Sequence, residues 1–137
     1  MRYEKIKSHA KINLSLNVIG KRKSKLHNLE TLVAFVDLHD QILIKKTNNK
    51  NHVIKFTGPF SKKIPKQNTI SNLLKILDKK KKLRNHKYLI LIRKNIPQQA
   101  GLGGGSMNAA SLINYFEKTK KINLTSNERY NLCPKIG

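Results

Sequence analysis

The 137-residue sequence predicts an α+β fold, with helices packed on one face of a mostly antiparallel sheet. Two observations carry this. Apolar residues recur with period two through the first half of the chain, then switch to the helical period. Near residue 100 a strand, a glycine cluster and a helical stripe follow one another directly. The length suits one domain with a buried core.

The elements follow in order. In "AKINLSLNVIG" (residues 10–20), Ala10, Ile12, Leu14, Leu16 and Val18 alternate with Lys11, Asn13, Ser15 and Asn17. That is the pattern of a half-buried strand with one apolar face, closed by Gly20. "ETLVAFVDLHDQILIKK" reads as two strands, 32–36 and 42–44, separated by a turn-like break at "DLHD". "HVIKFTG" is a further strand, ended by Gly58-Pro59. In residues 67–83, Ile70, Leu73, Leu74 and Leu77 make the stripe of an amphipathic helix, with Asn68 or Thr69 as its cap. "KYLILIRKNIP" is apolar enough for the middle of a sheet. Ala109, Leu112, Ile113 and Phe116 form a second helical stripe. A third helix begins at Thr125 or Ser126, and Pro134 is expected to interrupt it.

The composition narrows the function. Lys and Arg total 29 against 7 Asp and Glu, a formal net charge of +22. Such a chain attracts nucleic acid non-specifically. Lys, Asn and Ile are all over-used, as an AT-rich genome would produce, so codon bias on a solvated surface competes with a selected basic patch. Cys133 is the single cysteine, which excludes an intrachain disulfide and a thiolate metal cluster. The first residues lack the apolar core of a signal peptide, and no run reaches the roughly 18 apolar residues of a membrane span. A soluble, cytoplasmic protein without a membrane partner is expected.

Four of the seven glycines fall between Gly101 and Gly105. Amides at a helix start have no intrahelical partners, the helix dipole adds positive charge there, and glycine lets a ligand approach the backbone. The natural ligand is a phosphate. No Lys follows the glycines, which excludes a Walker A loop, and Ser106 stands where a dinucleotide fingerprint needs its third glycine. G-L-G-G-G-S before a helix leaves anion binding or a tight structural turn, and the Ser106 hydroxyl could contact a phosphate or Mg²⁺.

"IPQQAGLGGGSMNAA" resembles the second motif of the GHMP kinases, the superfamily of galactokinase and the homoserine, mevalonate and phosphomevalonate kinases. Within it, "HAKINLSLNVIGKR", "HNLETLVAFVDLHDQILI", "FTGPF" and "NTISNLLKIL" resemble, in order and spacing, landmarks of the 4-diphosphocytidyl-2-C-methyl-D-erythritol kinase branch. That branch phosphorylates a 2-hydroxyl with ATP in the non-mevalonate isoprenoid pathway. The resemblance implies a GHMP N-terminal domain over residues 1–137. Its fold would be like domain 2 of a ribosomal small-subunit protein, with left-handed β-α-β topology, incomplete at its C-terminal end and without the second GHMP domain.

The resemblance also implies the site. Pro97, Gln98, Gln99, Ala100, Gly101, Leu102, Gly103, Gly104, Gly105, Ser106 and Met107 would form the ATP-phosphate segment. Ser106 would touch phosphate or Mg²⁺, and Asn108 would open the following helix. Lys11 matches a motif lysine whose cation would stabilise charge on the transferring phosphoryl group. Asn13 shares its face, Asn68 falls where the family places an asparagine near adenine, and His27 matches a histidine on the cytosine ring of a cytidine-diphosphate substrate. Leu26 replaces the family's aromatic, a stacking contact worth about 1–3 kcal/mol per base in related settings. The family's catalytic Asp belongs to an Ala-Asp-Val-Pro segment that would follow "LCPKIG". The resemblance therefore implies an N-terminal kinase portion from a decayed or split gene, inactive alone or completed by a separately encoded half. A basic nucleic-acid-binding module is the alternative, weakly supported because aromatics do not interleave with the lysine runs.

Overall fold

The computed structural model describes residues 2–23 and 27–137, His27 through its backbone alone. The elements run β1 (Glu4–Lys21), β2 (His27–Thr47), β3 (Val53–Thr57), α1 (Thr69–Lys79), β4 (Lys87–Arg93), α2 (Gly104–Lys118) and α3 (Ser126–Ile136). The sheet order is β1-β2-β4-β3. β1 with β2 and β2 with β4 are antiparallel, and β3 with β4 is parallel, joined through α1. The mixed α/β architecture follows the expected class.

Burial of one face of the sheet under the helices builds the core. Ile42 and Ile44 of β2 stand opposite Ile92 and Ile90 of β4. All four are fully buried, with Leu73, Leu77, Leu112 and Phe116 from α1 and α2. The α1 stripe of Ile70, Leu73, Leu74 and Leu77 is buried as its spacing requires. Asn68 is the cap: its side chain accepts from the amides of Ile70 and Ser71, while Ser71 Oγ accepts from the Asn68 amide.

Three expectations are corrected. First, "DLHD" does not divide two strands. β2 runs through it, and the break survives as a bulge: His9 faces His39, but Lys11 faces Phe35. A regular antiparallel ladder would set Lys11 against Asp37, so β2 carries extra residues there. Second, the alternating face of β1 is buried only at Ala10. Ile12, Leu14, Leu16 and Val18 are 39% to 63% exposed. β4 reaches along β2 only as far as Gln41, so beyond it β1 and β2 form a two-stranded ribbon with its apolar side chains open. Third, α3 runs through Pro134 to Ile136. The proline removes the bond from residue 134 to the carbonyl of Tyr130, and burial of Leu132 and Ile136 offsets that loss.

His52 fastens the start of β3 to β4. Its Nδ1 accepts the Tyr88 amide at 3.1 Å, and its Nε2 lies 3.1 Å from Asp78 Oδ2. Burial lowers its pKa below the ordinary 6.5, against the opposing pull of Asp78. Protonation would also set an Nδ1–H against the Tyr88 N–H. The unfolded chain therefore takes up this proton at higher pH than the folded one, so His52 contributes stability above pH 6.5 that is lost as pH falls through the lowered folded value. Denaturant midpoints across pH 5 to 7 (roughly the histidine range) should show this loss, and His52→Gln should flatten it. An unchanged profile in the variant would refute the assignment.

Candidate nucleotide site at the glycine loop

The exit of β4 sets the position of the loop. Asp40 of β2 is fully buried, and its carboxylate accepts from the amides of Asn95 at 2.7 Å and Ile96 at 2.9 Å. Its other oxygen pairs with Lys94 Nζ, also buried. This ion pair holds the chain where it turns from the sheet toward the glycines. Gly58 of "FTGPF" lies against the same exit. It has φ of +91°, and a Cβ there would meet the Lys94 carbonyl oxygen at 2.8 Å, so only glycine fits.

Gly103 caps α2 with φ of +69°, and the first bond of the helix runs from the Met107 amide to the Gly103 carbonyl. The amides before Met107 are those that a helix leaves without internal partners. They open into a cavity of about 390 Å³, within the range of ligand sites. Residues 97–106 line it, with Asn68, Thr69, Lys94 and Asn108, and with Phe56, Ile64 and Pro65 as an apolar wall.

The structure brings most of the expected residues together. Pro97 through Ser106 line the cavity, whereas Met107 lies outside the lining. The Lys11 amide donates to the Leu102 carbonyl at 3.1 Å. Its side chain crosses the space that a Cβ on Gly103 would fill, with Cε 3.0 Å from that point. Asn13 is exposed on the ribbon, where it faces Val33 of β2. Asn68 is occupied as a helix cap, and its Nδ2 donates to the Pro65 and Lys66 carbonyls. Asn108 is 1% exposed, and its Oδ1 is buried without a hydrogen-bond partner. The His27 side chain and Leu26 lie outside the described residues.

Sequence reasoning missed three contributors. Lys94 and Asp40 are a charged pair 54 positions apart, Asp40 on β2 and Lys94 just past the end of the neighbouring β4, and only strand pairing brings them together. Thr69 Oγ1 donates to the Gly105 carbonyl at 3.1 Å and ties the start of α1 to the loop. The single available signal was charge in and beside otherwise apolar strands, which a lysine-rich sequence hides.

A family model described as "GHMP kinases N terminal domain" matches residues 68–137, just over half of the chain. The chain belongs to the GHMP kinase family. The matched segment of this GHMP domain contains α1, the glycine loop, α2 and α3. A 4-diphosphocytidyl-2-C-methyl-D-erythritol kinase from Pelagibacter ubique (strain HTCC1062) is 59% identical over 133 residues, covering 97% of this chain and 47% of the relative. One of the same name from Finegoldia magna is 37% identical, with the same coverage of each. The crystal structure of a 4-(cytidine 5'-diphospho)-2C-methyl-D-erythritol kinase superposes with a TM-score of 0.68 at 25% identity, covering 98% of this chain and 46% of that one. The chain thus spans about half the length of the relatives it matches. These kinases do not favour the nucleic-acid-binding alternative. Among the described residues no helix is long and apolar enough to cross a membrane.

Proposed function

We propose that this GHMP domain is the nucleotide-binding half of a 4-diphosphocytidyl-2-C-methyl-D-erythritol kinase, which transfers the γ-phosphoryl group of ATP to the 2-hydroxyl of its cytidine-diphosphate substrate in the cytoplasm. The observation that carries this is one cavity that holds the open start of α2 beside an apolar wall. Phosphates suit the amides at the helix start. A base suits the apolar wall of Phe56, Ile64 and Pro65. Lys11 packs against Gly103 from outside the cavity lining, and its Nζ, extended toward the phosphates, would favour the charge of a loose transition state. Mg²⁺ fits the cavity poorly on its own. Ser106 offers one neutral oxygen, and no carboxylate stands among the lining residues, so the ion would have to arrive held by the nucleotide.

The same lining leaves no group to accept the proton of the substrate hydroxyl. Asp40 is committed to Lys94 and to two backbone amides. The relatives carry about as much chain again, and the ribbon offers that half a surface. Leu16 and Val18 of β1 share a face with Leu29 and Phe35 of β2, and each is more than half exposed, an apolar patch of the kind that marks an interaction site.

Calorimetric titration of the 137-residue chain with ATP, together with a coupled phosphorylation assay, tests the reading. Measurable ATP binding without turnover is expected, with turnover appearing when a polypeptide matching the rest of the relatives is added. Steady phosphorylation by the chain alone would overturn the need for a second half. Absence of ATP binding at millimolar nucleotide would overturn the site.

A further inference from the structure

A second cluster lies at the bulge where the β1–β2 ribbon leaves the four-stranded sheet. His9 of β1 faces His39 of β2, with ring centroids 5.3 Å apart. His9 Nδ1 lies 3.0 Å from the Val36 carbonyl oxygen, and His39 Nδ1 lies 2.6 Å from that of Asp37. Both carbonyls belong to the bulge, where the regular ladder is interrupted. A carbonyl oxygen only accepts, so each Nδ1 carries the proton and each Nε2 keeps its lone pair. That is the tautomer of a metal-bound histidine, with a backbone carbonyl holding the far nitrogen. Capping the bulge employs Nδ1 alone and leaves the second nitrogen of each ring unused.

The Asp37 carboxylate joins the pair: one ligand atom from each of His9, Asp37 and His39 lies within 4.8 Å of the others. Ligands about 2.0–2.2 Å from a tetrahedral ion stand about 3.4 Å apart, so modest side-chain rotation closes the set. Asp37 is exposed and free to make that movement, while both histidines are partly buried. We propose that His9, Asp37 and His39 bind a divalent transition-metal ion of the Zn²⁺ type, with an open position toward solvent, which clamps β1 to β2 at the root of the ribbon. Two neutral imidazoles and one carboxylate suit such an ion and not Mg²⁺ or Ca²⁺. In a chain of net charge +22, general attraction cannot hold a cation, so coordination has to.

The test is equilibrium dialysis of the chain against Zn²⁺, with Co²⁺ absorption as the reporter of coordination. One equivalent should bind in the presence of excess Mg²⁺. His39→Ala should weaken binding at least about tenfold. His9→Gln should do the same while its amide N–H still reaches the Val36 carbonyl, which separates lost coordination from lost folding. His86→Ala, at an exposed histidine elsewhere, should leave binding unchanged. The proposal is overturned by failure to bind one equivalent, or by binding that responds to His86→Ala and not to His9→Gln and His39→Ala.

Discussion

Asp40→Ala is expected to lower folding stability by about 3–5 kcal/mol, the loss when one partner of a buried ion pair is removed and the other stays charged. The Asp40 side chain has no exposure and Lys94 has 5%, so water cannot take over the pairing. The amides of Asn95 and Ile96 lose their acceptor at the same time. A loss of this size is a large fraction of the roughly 5–15 kcal/mol that holds a typical domain together. Urea denaturation measures it. Asp40→Asn with Lys94→Met should recover much of the loss, because the amide oxygen still accepts from the two backbone groups and no charge is left unpaired. A loss below about 1 kcal/mol for Asp40→Ala would mean the pair is solvated. Lys94 also lines the cavity, so nucleotide binding should fall with stability in the single variant and stay low in the double one.

Gly103→Ala should cost at least about tenfold in ATP affinity, equivalent to about 1.4 kcal/mol. Two effects add at this position. Its φ of +69° is strained for any residue with a Cβ, by about 1–2 kcal/mol. The new methyl would also meet Lys11 Cε at 3.0 Å and Cγ at 3.2 Å, so the lysine side chain must shift by a few tenths of an ångström away from the loop. Gly101→Ala separates the two. Its φ is +71°, yet a Cβ there meets nothing within 4 Å. Both variants should lose similar stability in denaturation, and Gly103→Ala should lose more affinity in calorimetric titration with ATP. Equal affinity in the two would place Lys11 outside the nucleotide site.

The two halves of the chain differed in how legible they were. The stripe of α1, the cap at Asn68 and the central position of β4 follow from local pattern, because a helix face or a buried strand selects its residues at short range. The alternation in β1 is just as clear, and it misled. Alternation suggests which residues share a face, but the extra residue between Asn13 and Ser15 turns Leu16 and Val18 to the face opposite Ile12, and alternation does not say whether another layer covers either face. Beyond Ala10 none does in this structure, and the apolar side chains stay open. "DLHD" is a similar case. It signals irregular backbone, and only the paired register shows a bulge in place of a turn.

By itself, the sequence determined the glycine cradle. Gly101 and Gly103 supply positive φ, the helical stripe after them supplies the open amides, and both are properties of a few adjacent residues. Tertiary structure alone decided what surrounds that cradle. It seats the Asp40–Lys94 pair beneath the loop, packs Lys11 against Gly103 and buries the Asn108 oxygen. It also sets His9 against His39. Each of these joins residues from different elements, or buries a group whose neighbours in sequence do not bury it. Strand register and helix packing fix such contacts, and no local pattern encodes them.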